Sequence, residues 1–402
     1  MKMLLLAVFS RYICEVKNNP LRKRIGIIGG GQLGRMMIEE SLRYNMPIYT
    51  LDAADSPCSN LATEHVVGSL KDGEAIRTLA SKVDVLTFEI EHIAIDTLLL
   101  LEQEGKEIIP SPQLLHIIQD KGLQKQFFEQ HQIPTGAFRL VDTEADWLKG
   151  IQELGGEKLV AKTRKEGYDG KGVWIFNSAE LQQNVSKRAF SQPALIEQFI
   201  PCQTELSVMV ARDREGNSRL WPVVDMEFDP VANLVTYLNC PARIHNEIAE
   251  EAKTIALKTI TALNGIGVFA VEMLLGTDGK LYVNEVAPRP HNSGHHTIEA
   301  CYTSQFEQLV RILAGLPLGS TEMIQPAVMI NLLGDSGFSG EYQLKGLAEA
   351  AAIEGVYIHL YDKKESKPMR KMGHVTITAH TLDGARSKAE RVLNLLQFIP
   401  AT

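Results

Sequence analysis

Cysteine is scarce in this chain. The five, Cys14, Cys58, Cys202, Cys240 and Cys301, are widely spaced and odd in number, and none forms a CxxC pair. That speaks against a disulfide framework and a structural zinc site, and it fits a reducing compartment. Positive charge is in deficit too. Lys and Arg number 41 against 49 Asp and Glu, a net charge of -8, which argues against a nucleic-acid footprint. Long hydrophobic runs are missing. The N-terminal Leu4-Leu5-Leu6-Ala7-Val8-Phe9 is stopped by Arg11, is too short to cross a bilayer, and has no small-residue cleavage site after it. Residues 1–23 therefore read as a disordered or upstream-start extension. A cytoplasmic protein with no nucleic-acid and no membrane partner is expected. Repeats and low-complexity segments are also absent.

What remains is a soluble globular composition, 45% apolar and 22% charged, in 402 residues. That length is too great for one ordinary core and sets two or three domains as the prior. The chain reads as mixed α/β and α+β. Residues 24–118 alternate strands (Arg24–Ile28, Ile48–Leu51, Asp84–Phe88) with helical stretches, the pattern of an open parallel sheet with helices on both faces. Residues 119–203 hold a linking helix, Gln119 to Gln132, and a small unit of strands around a glycine-rich loop. Residues 204–402 form a larger mixed domain with a terminal subdomain.

Glu272 and Glu285 carry the sharpest chemical signal. They sit in two apolar runs joined by Thr277-Asp278-Gly279-Lys280, a hairpin pattern. A two-residue Asp278-Gly279 turn puts Thr277 opposite Lys280 and Glu272 opposite Glu285. Like charges in that position destabilise a hairpin. The pair needs a proton or a divalent cation, and Mg²⁺ suits an all-oxygen site shared with phosphates. A solvated strand face is the plainer alternative.

Two glycine-rich loops point to anions. Gly29-Gly30-Gly31-Gln32-Leu33-Gly34 follows a strand and opens a helix, with Asp52 18 positions past Gly34. That pattern suits a phosphate, a dinucleotide or simply a tight turn. The second, Lys165 to Gly172, joins two strands and can close over nucleotide phosphates between Lys162 and Lys171; an exposed hairpin is the alternative. Arg289, His291 and Asn292 follow Glu285 as a fork and two donors for a carboxylate or phosphate. His291, His295 and His296 lack a regular helical face, because Pro288, Pro290 and Gly294 interrupt it, which weighs against zinc. Lys363, Lys364, Arg370 and Lys371 form a basic cluster that fits a substrate phosphate or a solvated loop.

In order, GGGQLGRM, TFEIEH, GYDGKG, VNEVAPRPHNSGHH and YDKK with RKMGH make the chain resemble the 5-(carboxyamino)imidazole ribonucleotide synthases, ATP-grasp enzymes of purine biosynthesis, over residues 24–400. The resemblance implies the ATP-grasp architecture, with 119–203 as lid. It implies carboxylation of aminoimidazole ribonucleotide by bicarbonate and ATP through carboxyphosphate, in a homodimer. Glu272 and Glu285 would hold Mg²⁺. Lys121, Lys162 and Asn284 would meet the ATP phosphates under the loop Gly167, Tyr168, Asp169, Gly170, Lys171, Gly172. Glu197, Gln198, Phe199 and Ile200 would meet adenine through backbone groups, and Glu205 the ribose hydroxyls. Arg289, His291 and Asn292 would cradle bicarbonate. Glu91, Tyr168, Asp169 and Lys171 would surround the imidazole, with Asp169 as base. Gly31, Gln32, Leu33, Gly34, Ser293, Lys363, Arg370 and Lys371 would hold the ribonucleotide, Lys371 acting in catalysis as well.

Two positions depart from the pattern. Ala287 stands where many ATP-grasp enzymes place a metal-binding Asn, and Asp225-Met226-Glu227-Phe228 replaces a segment that carries a histidine in some members. The competing readings are another ATP-grasp carboxylate–amine ligase, a nicotinamide-dependent oxidoreductase built on Gly29–Gly34 and Asp52, and a silent nucleotide-binding regulator. Only the first accounts for the paired glutamates as chemistry.

Overall fold

The computed structural model describes residues 19–165, 172–179, 193–228 and 235–401. Its first sheet is parallel, in the order β3-β2-β1-β4-β5. The strands are β1 (Ile25–Ile28), β2 (Ile48–Asp52), β3 (Glu64–Val67), β4 (Val85–Phe88) and β5 (Glu107–Ile108). The inner strands β1 and β4 are buried along their whole length, so their residues form continuous apolar runs. Helices α1 (Gln32–Leu42), α2 (Gly73–Lys82) and α3 (Ile95–Gln103) make the crossovers. Two short helices follow, α4 (Pro112–Gln119) and α5 (Lys121–Gln130).

The helix expected from Gln119 to Gln132 is thus shorter and starts later. Asp120 is the cause. Its carboxylate caps α5 by accepting the N–H groups of Gly122 at 2.9 Å and Leu123 at 3.2 Å, and it takes a two-point ion pair from Arg164. The same residue that ends α4 therefore ties α5 to the next sheet. That sheet is antiparallel, in the order β6-β9-β7-β8. It comprises β6 (Phe138–Val141), β7 (Lys158–Thr163), β8 (Val173–Asn177) and β9 (Ala194–Gln198), backed by α6 (Glu144–Leu154). Trp147 and Ile151 of α6 share a core with Leu159, Ala161 and Ile196.

The large sheet runs β15-β14-β10-β12-β13-β16-β19-β18, with β11 beside β10. Its strands are β10 (Cys202–Arg212), β11 (Ser218–Leu220), β12 (Val224–Phe228), β13 (Val235–Cys240), β14 (Gly267–Gly276), β15 (Leu281–Ala287), β16 (Ala327–Leu333), β18 (Val356–Leu360) and β19 (Lys371–Thr378). Strands β17 (Tyr342–Lys345) and β20 (Gln397–Pro400) pair separately. Helix α7 (Asn246–Ala262) covers one face of β10 and β14, contributing Ala252, Ile255, Ala256 and Ile260. Helix α8 (Gln305–Ala314) covers the other, and its Phe306, Leu309 and Val310 share a core with Met36 and Met37 of α1. The first sheet is thereby fixed against the third. Among the described residues, no helix is long and apolar enough to cross a membrane.

The hairpin of β14 and β15 corrects one expectation. Its turn has three residues, not two: Gly276 N–H reaches Lys280 carbonyl at 2.9 Å, and Gly279 takes φ +77°. Thr277 therefore does not face Lys280, and Leu275 pairs with Leu281. A bulge at Asn284 then shifts the register by one, and Glu272 lies opposite Glu285 after all.

Candidate active site

The bulge is held by α5. Lys121, Gln124 and Lys125 lie three and four residues apart, on one face of that helix. Gln124 Oε1 accepts the Val286 N–H at 3.1 Å, and Lys125 Nζ reaches the Val283 carbonyl at 3.5 Å beside Thr135 Oγ1 at 2.7 Å. Lys121 Nζ forms an ion pair with Glu285. Strand β7 approaches from the other side. Its Lys162 donates to Asn284 Oδ1 at 2.9 Å and pairs with Glu197 of β9 at 3.1 Å.

Behind Glu272 stands His291, whose Nε2 is 3.5 Å from Glu272 Oε1. Its Nδ1 lies 2.9 Å from Ser293 Oγ, which in turn meets Ser207 Oγ at 2.8 Å. Arg289 Nε pairs with Glu91 Oε1 at 2.9 Å. So Glu91, Lys121, Lys162, Glu197, Glu272, Asn284, Glu285, Arg289, His291 and Ser293 are brought together by these contacts from three sheets and one linking helix. Glu205 lies on β10 across from Leu274 and Met226, beside a cleft of about 670 Å³.

The two carboxylates are unlike. Burial, then Glu285 and Glu205, push Glu272 up to about 8. The Lys121 ammonium holds Glu285, whose side chain is 39% exposed, down to about 2. The pair therefore keeps one proton near neutrality, as opposed carboxylates do. An unfolded chain gives up the Glu272 proton near the ordinary carboxylate pKa, so the folded chain binds more protons between there and about pH 8. Stability from this group must then fall as pH rises through that window. Denaturant unfolding of the metal-free wild type and Glu272→Gln should show the wild type losing ground to the variant between pH 5 and 8. A difference independent of pH would contradict the shift.

Several expected residues behave otherwise. The glycine turn already holds carboxylates of its own chain. Gly31 and Gly34 N–H groups donate to the buried Glu89, and Gly30 N–H donates to Asp52 at 2.7 Å. Burial raises the Glu89 pKa against those N–H bonds. A Cβ on Gly31 would lie 2.7 Å from Glu89 Oε1. The Gly30, Gly31 and Gly34 N–H groups that a pyrophosphate would use are taken, which counts against the dinucleotide reading. For a ribonucleotide phosphate, Gln32 and Leu33 are the positions whose N–H groups neither carboxylate takes.

Lys363 Nζ donates to the Lys371 carbonyl at 2.5 Å, and Arg370 stays with its own loop at the Glu365 carbonyl, 2.8 Å away. The Gln198 N–H is used by the Ala137 carbonyl at 2.9 Å, while Phe199 receives the Lys158 ammonium over its ring at 5.9 Å, and half-buried Ile200 follows the strand. Half-buried Asn292 is on the short turn Asn292–Gly294, its buried Nδ2 without a hydrogen-bond partner among the described residues. Gly172, at φ +78°, is the described end of the second glycine loop. The expectations for Gly167, Tyr168, Asp169, Gly170 and Lys171 lie outside the described residues.

The departure at Asp225 has a structural cause. Asp225 is buried, accepts the Arg243 N–H and Nη2, each at 2.7 Å, and takes Asn239 Nδ2 at 2.9 Å. It anchors the β12–β13 corner, while Met226 stands directly across from Glu205 on the neighbouring strand. Sequence reasoning passed over Lys125, Gln124 and Gln305. Gln305 accepts the His291 N–H at 2.7 Å and donates to its carbonyl at 2.8 Å, fixing that loop. A lysine one helical turn after Lys121 on a helix with an apolar face was the available signal.

Among the described residues, no three or more His, Cys, Asp and Glu side chains are arranged to hold a metal. Two opposed carboxylates fit a hard cation whose other ligands come from phosphates and water.

Known proteins match along nearly the whole chain. Residues 22–119 match the ribonucleotide synthetase preATP-grasp domain, 126–306 the ATP-grasp domain, and 327–388 the phosphoribosylaminoimidazole carboxylase C-terminal domain. The N5-carboxyaminoimidazole ribonucleotide synthase of Brucella melitensis is 37% identical over 357 residues, 88% of this chain and 95% of that protein. The solved N5-carboxyaminoimidazole ribonucleotide synthetase of Thermotoga maritima is 43% identical, with a TM-score of 0.85 over 94% of this chain and 100% of that one. The N5-carboxyaminoimidazole synthase of Aspergillus clavatus, solved with ADP and 5-aminoimidazole ribonucleotide, is 33% identical with a TM-score of 0.84, covering 93% and 98%. Fungal and plant phosphoribosylaminoimidazole carboxylases match too, and the chain spans 65% to 70% of their length. On these grounds the chain belongs to the N5-carboxyaminoimidazole ribonucleotide synthase family, ATP-dependent ligases of the ATP-grasp fold.

Proposed function

We propose that this chain carboxylates 5-aminoimidazole ribonucleotide with bicarbonate and ATP, releasing 5-carboxyaminoimidazole ribonucleotide, ADP and phosphate. The observation that carries the reading is the opposed pair Glu272 and Glu285, flanked by Lys121 and Lys162 on one side and His291 and Arg289 on the other. Phosphoryl transfer needs positioning and charge neutralisation, and this arrangement supplies both. Glu272 and Glu285 would hold Mg²⁺, which when bound offsets the phosphate charge. Lys121 and Lys162 steady the nucleotide phosphates, and Glu205 takes the ribose hydroxyls. Arg289, His291 and Asn292 orient bicarbonate for attack on the γ-phosphorus, which makes carboxyphosphate and frees ADP. Glu91 and the Lys363–Lys371 segment hold the ribonucleotide, whose exocyclic amine then bonds to the carboxyl carbon as phosphate leaves. Asp169 is the proposed base for the amine proton, and Tyr168 and Lys171 are proposed to contact the imidazole.

The test is phosphate release from Mg-ATP, measured with bicarbonate and aminoimidazole ribonucleotide present together and each omitted. Release should require both. Release indifferent to the ribonucleotide but stimulated by another amine would favour a different carboxylate–amine ligase. A homodimeric, cytoplasmic protein is proposed from family membership; sedimentation showing a monomer at micromolar concentration would end the dimer.

A further inference from the structure

Glu197 is almost wholly buried at the end of β9, yet it faces two ammonium groups. Its Oε1 lies 3.1 Å from Lys125 Nζ and its Oε2 lies 3.1 Å from Lys162 Nζ. One carboxylate needs only one cation, so the second requires a reason. The two lysines differ in what else they touch. Lys125 points into the core, with 5% of its side chain exposed, and its remaining contacts are Thr135 Oγ1 at 2.5 Å and the Val283 carbonyl at 3.5 Å. These are fixed groups of the fold. Lys162 lies at the cleft and also donates to Asn284 Oδ1 at 2.9 Å, next to Glu285.

We propose that Lys125 is a positioning residue, the standing counter-ion of Glu197, whose presence lets Lys162 leave Glu197 and Asn284 for a nucleotide phosphate. The inference rests on the reading of the cleft as an ATP site. Its physical basis is the cost of stranding a buried charge. If Lys162 were the sole partner of Glu197, drawing it away would leave a carboxylate unpaired in a low-dielectric surround, a heavy penalty on binding. With Lys125 in place, the withdrawal takes a carboxylate with two cations to a carboxylate with one. Lys125 thus acts through Lys162 and need not touch the ligand. Its pKa, drawn down to about 8 by burial against the pull of Glu197, leaves it mostly charged at neutral pH.

The experiment compares Mg-ATP binding by calorimetry, and KM for ATP against KM for the ribonucleotide, in four proteins. These are the wild type, Lys125→Met, Glu197→Gln and the double variant. Lys125→Met should weaken ATP binding by roughly tenfold or more, the worth of one charge-assisted hydrogen bond, because Lys162 is then held by Glu197. KM for the ribonucleotide should stay within about twofold. The double variant removes both buried charges and should bind ATP to within about threefold of the wild type. A simple packing defect would not be repaired in that way. If Lys125→Met does not fold, Glu197→Gln and the double variant decide the matter: with residue 197 neutral, the two should bind ATP alike. Wild-type affinity in Lys125→Met, a double variant no better than Lys125→Met, or one weaker than Glu197→Gln would overturn the proposal. A wild type that binds no Mg-ATP would instead remove the functional reading itself, and the proposal with it.

Discussion

Glu285→Gln is expected to cut bicarbonate-dependent phosphate release by on the order of a hundredfold or more, because it removes the charge proposed to bind the metal and so to offset the phosphates. The local geometry makes this position harsher than Glu272. Glu285 is the ionised member of the pair, it is the partner of Lys121, and it stands beside the Asn284 bulge. Glutamine has nearly the same shape, so Gln124 and Thr135 can still hold β15 in place. The deficit should therefore appear in turnover and in Mg²⁺ dependence, with far-ultraviolet circular dichroism unchanged. Near-normal turnover at ordinary Mg²⁺ would contradict the assignment.

Arg289→Ala is expected to lower bicarbonate-dependent ATP cleavage by about a hundredfold or more, as losses of a preorganised charge at a reacting centre do. Arg289 lies four residues past Glu285 and is turned toward Glu91, so it stands between the metal-type carboxylates and the first sheet. Direct Mg-ATP binding should change little, since Lys121 and Lys162 are untouched. Arg289→Lys restores the charge without the planar fork and should recover only a fraction. Isothermal titration with Mg-ATP beside a phosphate-release assay separates the two effects. Normal bicarbonate-dependent cleavage in Arg289→Ala, or a loss that follows ATP affinity, would defeat this role.

The legible part of this protein was the part written in local pattern. The first sheet follows from apolar runs ending in glycine or Asp52, and the α7 stripe from its spacing. The opposition of Glu272 and Glu285 was also readable, but by a route that was wrong in detail. Asp278-Gly279 signals a tight turn without stating its length, and a bulge has no sequence mark of its own; here the two errors cancel. Asp120 was misread because capping and helix continuation compete at one residue, and an ion pair to Arg164, 44 positions away, decides between them. The glycine turn was ambiguous for the same reason. Its anion is Glu89, 55 residues past Gly34, and distant partners leave no local signature. Lys125 escaped notice because its meaning lies in Glu197, on strand β9 and far along the chain.

The bulge has a further consequence for how this strand can vary. In a regular strand, neighbouring residues point to opposite sides. In β15 the core-facing positions are Leu281 and Val283 before Asn284, and Val286 after it. Odd numbers face the core on one side of the bulge and even numbers on the other. Asn284 and Glu285, though adjacent, thereby address the same space. Deleting Asn284 would restore plain alternation, with every core residue and Glu285 keeping their sides. Chain length at this spot is thus a variable separate from side-chain identity. In a strand lacking the extra residue, the carboxylate would come one position earlier when counted forward from the turn, but at the same position when counted back from Ala287.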